Sequence, residues 1–269
     1  MIVLGGLMFV HQLDPVLFQI GSLEIRYYGI VYVLGFLMAY WFLSRAASSG
    51  RIRNLTKDGV DDLILYLFVG LLVGSRLFYF LFWSETSLLS DPVALFRIWE
   101  GGMSFHGGIV GIVLAALLFC KRSKVSFYAL GDLVVIPTAF ALFLGRIANF
   151  INGELVGVVS NIWWCVQFQG YDGCRHPSQL YEAGKNLFVF FVLLWMDRRK
   201  VVMKFKEGFL FWSFIGLYGV FRFLTNIWRD DPRWLGISLG QGFSLVMVVV
   251  AVVVVVRVYR DDLKRLFSF

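Results

Sequence analysis

Charge is scarce in this sequence. Of 269 residues, 16% are Asp, Glu, Lys or Arg, where a soluble domain of this length carries about a quarter. That shortage excludes an ordinary soluble globular domain. No Lys or Arg precedes Arg26, so the basic n-region of a cleaved signal peptide is missing too. Neither internal repeats nor a soluble linker interrupt the chain, which reads as one membrane-embedded domain over residues 1–269. The three cysteines and three histidines lack the spacing of a metal site, and no metal or cofactor is expected. Ser104 precedes His106 by two positions, but without a GxSxG-type elbow it makes a poor hydrolase nucleophile. The net charge of +7 comes with no nucleic-acid-binding motif, and contact with anionic lipid headgroups accounts for it better than nucleic acid does.

What the chain has instead is apolar surface: 59% of its residues are hydrophobic and 18% aromatic. Seven segments can cross roughly 30 Å of hydrocarbon, at residues 25–44, 61–83, 104–120, 131–151, 180–196, 208–227 and 237–256. The fifth is interrupted at its start by Glu182 and Lys185. The expected fold is therefore all-α, a polytopic membrane protein of about seven transmembrane helices. Alternate loops and the carboxyl-terminal tail hold sixteen basic residues, against four (Arg97, Arg175, Arg229 and Arg233) in the opposite loops. By the positive-inside rule the carboxyl terminus is cytoplasmic and the amino terminus outside.

Five basic residues fall inside the apolar segments: Arg26, Arg76, Arg146, Lys185 and Arg222. A charge at the bilayer centre costs at least a few kcal/mol on insertion scales, so each needs a partner. Arg146 lies five residues before the end of the fourth segment and Arg222 five before the end of the sixth, about 7–8 Å below the outer surface at 1.5 Å per residue. Arg76 is slightly deeper, while Tyr28 and His106 open the first and third segments at the same side. Five helices thus deliver polar groups to one layer. Taken singly, an arginine near a helix end snorkels to the headgroups, and a lone histidine is usually a satisfied core imidazole.

Two constellations sharpen the picture. The run GGMSFHGG (residues 101–108) surrounds His106 with glycines, which either admit a ligand close to the backbone or let helices pack tightly. In GRIANFINGE (residues 145–154) Arg146 and Asn149 share a helix face. Asn152-Gly153 should end that helix, leaving Glu154 just outside, where its carboxylate could hold Arg146. A third run, RHPSQLYE (residues 175–182), leads into the fifth segment. Cys165 and Cys174 lie in an outer segment where a disulfide can persist, although pairing needs a geometry that the sequence does not show. Cys120, at a helix end, reads as a small apolar residue.

Together with DPVLFQIG (residues 14–21), RYYG (26–29) and YGVFR (218–222), these runs resemble the bacterial prolipoprotein diacylglyceryl transferases in matching order over nearly the whole chain. The resemblance implies a seven-span enzyme of the bacterial cytoplasmic (inner) membrane, its site open to the outer leaflet. Such enzymes move the diacylglyceryl group of phosphatidylglycerol onto the lipobox cysteine in the signal peptide of a preprolipoprotein, forming a thioether and releasing glycerol 1-phosphate. The partners implied are phosphatidylglycerol, lipobox signal peptides and membrane lipids. The family's functional positions fall on Tyr28, His106, Arg146, Asn149, Glu154, Gly157 and Arg222.

Those residue types suit the chemistry. A thiol with pKa about 8.5 must lose its proton to become a nucleophile, and a histidine with reference pKa about 6.5 can take it. Arginines can bind the charge that grows on the leaving phosphate, with Arg146 and Arg222 as the clamp and Tyr28, Asn149, Glu154 and Gly157 around the headgroup. One position departs from the family pattern: where a glutamate is common, four residues after Arg222, this chain has Asn226. Either Glu154 alone then balances the two arginines or the site is unusually electropositive. A lipid or small-anion transporter is the alternative reading, although transporters often show repeats and midplane helix breaks.

Overall fold

A computed structural model describes residues 9–21, 23–84, 91–97 and 101–267. Each of the seven apolar segments forms a helix: α1 (Tyr27–Ser48), α2 (Lys57–Phe82), α3 (Phe105–Ser123), α4 (Phe127–Ile151), α5 (Ser178–Met203), α6 (Phe209–Thr225) and α7 (Leu239–Val258). A short amphipathic α8 (Arg260–Phe267) follows. Among the described residues six helices are long and apolar enough to cross a membrane; α5 is not among them, because charged residues near both its ends (Glu182 and Lys185, then Asp197 to Lys200) leave only a short apolar centre. Helix starts follow local chemistry. The Thr56 and Ser104 hydroxyls accept from Gly59 N and Gly107 N, and Ser238 with Gln241 forms a capping box on α7.

The chain folds as two compact units, one of Met1–Ala39 with Gly131–Phe269, the other of Tyr40–Leu130. In the smaller unit α2 and α3 pack along their length. Gly70 and Gly74 of α2 meet Gly107 and Gly111 of α3, and a Cβ on Gly70 would stand 2.5 Å from the Gly111 carbonyl oxygen. The glycines after His106 therefore serve close helix packing, the competing explanation for that motif.

In the larger unit α6 packs against α5 and α7. Three small ribbons decorate it: β1 (Phe9–Val10) parallel to β4 (Val166–Gln167), the antiparallel hairpin β2 (Val16–Ile20)–β3 (Leu23–Arg26), and β5 (Arg233–Trp234) with β6 (Ile237–Ser238). Arg26 is consequently not within the first span. It ends β3, exposed and paired with Glu24 at 2.7 Å, a charge that water already solvates. At the opposite end of the α4–α6 pair, the fully buried Asp132 accepts from Gly208 N (2.7 Å) and Phe211 N (2.8 Å) and pairs with Lys200. An α4 carboxylate thereby satisfies the orphan amides that open α6.

Candidate active site

The centre of the polar interior is Glu182, on the first turns of α5 and 1% exposed. Its Oε2 lies 2.8 Å from Arg146 Nε. Its Oε1 accepts from Arg222 Nη1 and lies 3.3 Å from Arg229 Nη1. One carboxylate on α5 thus gathers guanidinium groups from α4, from α6 and from the segment that follows α6. A buried carboxylate survives only with such partners. Within the same unit Lys185, buried one turn further along α5, donates to Asn186 Oδ1 (3.0 Å) and lies 4.0 Å over the Tyr218 ring.

This pairing corrects the sequence reading in one respect: the carboxylate on Arg146 is Glu182, not Glu154. Gly153, with φ +66°, turns the chain sharply after α4. The turn brings Glu154 Oε1 to Asn149 Nδ2 at 2.8 Å instead. Asn149 Nδ2 also donates to Tyr28 Oη, and Asn149 Oδ1 accepts from Arg146 Nη1 at 3.1 Å. Tyr28, Arg146, Asn149 and Glu154 therefore form one chain of hydrogen bonds, and Glu182 connects it to Arg222. Two carbonyls of the turn after α4 are fixed from α5, where Gln179 Nε2 donates to Glu154 O (2.6 Å) and Ser178 Oγ to Leu155 O (3.0 Å).

Gly157, expected beside the headgroup, has a packing role in the fold. Its amide donates to His176 O at 3.0 Å, and it bridges Arg229 across a short antiparallel contact. A Cβ there would stand 2.5 Å from both His176 O and Trp228 O, so only glycine lets the strand carrying Arg229 approach. Arg175 reinforces the same junction through Gly157 O (3.1 Å) and Asp230 (2.7 Å). His176, from the third run, lies outside the helices with Nδ1 at 3.0 Å from Tyr181 Oη, and burial lowers its pKa.

Nor does Glu154 alone balance the arginines. Asp231 accepts from Arg229 Nε (3.1 and 3.0 Å) and Nη2 (2.9 Å), and from Asn226 Nδ2 (2.8 Å). Burial pushes the Asp231 carboxyl up, but Arg229, Asn226 and Arg222 outweigh it and hold the pKa below the ordinary carboxylate value. Arg146, Arg222, Arg229 and Lys185 thus share the interior of this unit with Glu182, Asp231 and Glu154. Three guanidinium groups there stand against three carboxylates, and the N–H groups of the arginines are the donors an anionic ligand would meet.

The smaller unit holds the remaining candidates. His106, on the first turn of α3, is exposed and lines a cavity of about 330 Å³ with Tyr79, Trp83, Met103 and Ser104. Ser104 is buried and serves as the α3 cap, its hydroxyl accepting from Gly107 N and its amide donating to Ser75 O at 3.0 Å. Arg76 neither snorkels nor faces a ligand. It is 3% exposed and donates to the carbonyls of Ala94, Leu95, Arg97, Gly101 and Gly102. Backbone oxygens of the α2–α3 connection answer its charge. In the larger unit Cys165 and Cys174 form a disulfide, with Cα atoms 5.5 Å apart.

Fold and site together define a multi-pass membrane protein that keeps a cluster of paired arginines inside one helical unit. A sequence profile of prolipoprotein diacylglyceryl transferase matches residues 15–257. The chain is 42% identical over 259 residues to the phosphatidylglycerol–prolipoprotein diacylglyceryl transferase of Geobacter sulfurreducens, covering 94% of this chain and 97% of the relative. Enzymes of the same name from Pasteurella multocida (40% identical; 94% and 95% covered) and Vibrio cholerae (37%; 96% and 96%) are similar over comparable lengths. The chain belongs to the prolipoprotein diacylglyceryl transferase family.

Proposed function

We propose that this protein transfers the diacylglyceryl group of phosphatidylglycerol to the lipobox cysteine of a preprolipoprotein at the bacterial cytoplasmic membrane, from a site toward the outer leaflet. The observation that carries the reading is the Glu182-centred arginine cluster, in a chain whose relatives are named for phosphatidylglycerol and prolipoprotein. The same family membership favours a transferase over a transporter.

In the reaction the cysteine sulfur attacks the glycerol carbon that bears the phosphate ester. A carbon–sulfur bond forms and a carbon–oxygen bond breaks. The thiol proton passes to a base, and the bonding pair leaves on glycerol 1-phosphate, which gains a negative charge. Only the thiolate is a strong nucleophile, and His106 serves as the base. Arg146 and Arg222 receive the phosphate. A hydrogen bond from Arg222 and an ion pair from Arg146 hold both guanidinium groups beside Glu182, so little reorganisation is needed as charge develops. Asn149, braced by Tyr28 and Glu154, orients the headgroup beside Arg146.

Purified protein, phosphatidylglycerol and a lipobox peptide with a single cysteine test this directly, with the peptide read by mass spectrometry. A diacylglyceryl adduct on cysteine is expected, abolished by Arg146→Ala and reduced at least about a hundredfold by His106→Gln, on the scale of general-base loss. An unmodified peptide from folded wild-type protein would overturn the reading.

A further inference from the structure

Arg229 and Arg222 compete for the same oxygen. Both reach Glu182 Oε1, Arg222 through Nη1 and Arg229 through Nη1 at 3.3 Å. What separates them is the carboxylate on the far side of Arg229. Asp231 takes Arg229 Nε and Nη2 in a fork at 2.9–3.1 Å. Its Oδ2 also lies 3.9 Å from Arg222 Nη2. Behind it stands Asn226, fully buried, which donates to Asp231 Oδ2 and accepts from Ser238 Oγ at 2.6 Å. Ser238 is in turn the cap of α7. The carboxylate is thus gripped on one side by a guanidinium and backed on the other by an amide anchored to a helix start.

We propose that Asp231 is a positioning residue of the phosphate clamp: by holding Arg229, it leaves Glu182 to Arg222 and fixes the direction in which Arg222 presents its remaining N–H groups. The inference rests on the transferase reading and adds to it a residue outside the set that the family resemblance marks. Without the Asp231 charge, Arg229 would turn wholly to Glu182, the nearest carboxylate, and displace Arg222 from it. Arginine's planar fork makes such displacement costly, because direction as well as charge is lost. The defect belongs to phospholipid binding and transfer rather than to folding.

The arrangement supplies its own control. Asn226 and Asp231 are joined by one hydrogen bond, so the double variant Asn226→Asp/Asp231→Asn exchanges amide and carboxylate across it without changing composition or net charge. Each variant is assayed in lipid vesicles containing phosphatidylglycerol, with kcat and KM for the lipid determined separately and folding followed by thermal midpoint. Asp231→Asn is expected to lower kcat/KM at least about tenfold, the scale of a hydrogen bond to a charged group, chiefly through KM. The exchange variant is expected to recover most of that loss. Wild-type kinetics in Asp231→Asn would overturn the proposal, as would a folded exchange variant no better than the single one. Should Asp231→Asn fail to fold, the exchange variant decides alone, supporting the proposal if active and overturning it if folded and inactive. A wild-type protein unable to modify the peptide would instead indict the transferase reading.

Discussion

Glu182 shows how a single side chain can be decisive and still be overlooked. In the sequence it interrupts an apolar segment and weakens the case for a helix there; in the fold it is the reason that segment can carry arginines as neighbours. Position alone revealed Arg146 and Arg222, because a charge in an apolar run is conspicuous. The i, i+3 relation of Arg146 and Asn149 was equally legible. Which carboxylate answers those arginines depends on how α4, α5 and α6 approach one another, and no local pattern encodes that. Asp231, in an ordinary polar run after α6, gave no signal, and Arg229 counted only as a loop charge. Neutralising Glu182 should therefore be severe. Glu182→Gln leaves three guanidinium groups around an amide, and stability is expected to fall by about 3–5 kcal/mol, the cost of breaking a buried ion pair from one side. Denaturant or thermal unfolding in detergent measures it. A midpoint within error of wild type would mean the arginines find other partners.

Among the elements, α2 and α3 make the sharpest case. Apolar run length announced both helices, and the glycines within them left two explanations open. Close helix packing is what the fold displays, since Gly70, Gly74, Gly107 and Gly111 form a contact with no space for a side chain. Association of helices in lipid depends on such packing, because hydrocarbon competes equally for apolar side chains. Gly111→Leu should force the pair apart and destabilise the smaller unit by about 1–3 kcal/mol, in the range of overpacked cores. Gly242→Leu, on α7 where a Cβ meets nothing within 4 Å and the backbone is helical, separates the loss of a helical glycine from lost helix packing. Comparable loss of thermal midpoint in both variants would argue against the helix contact as the cause. The β-ribbons and the Arg26 turn were beyond sequence reading, because strands of two to five residues give too little alternation to detect.

For the molecule as a whole, the asymmetry of charge between alternate loops predicts its orientation. Trp234, 81% exposed on the β5–β6 ribbon, belongs to the sparsely basic side, and the exposed Ser49 after α1 to the basic one. In a Cys120→Ser background, Trp234→Cys in intact spheroplasts should react with a membrane-impermeant maleimide while Ser49→Cys is protected until the membrane is opened. The reverse pattern would invert the topology and place the cluster toward the cytoplasmic leaflet.

Chain order adds a meaning to the cluster that its finished geometry conceals. Its members are synthesised in the sequence Arg146, Glu154, Glu182, Lys185, Arg222, Arg229, Asp231, with two acids following the first cation and another closing the series. Once α5 is made, Glu182 supplies the ion-pair partner of Arg146, so α4 and α5 can come together as a nearly neutral hairpin. The later arginines then arrive at a carboxylate already in place. A nascent chain ending before α5 would offer Arg146 the Asn149 amide but not the Glu182 carboxylate, which makes the α4–α5 hairpin the smallest piece of this half of the protein in which that charge has its ion-pair partner.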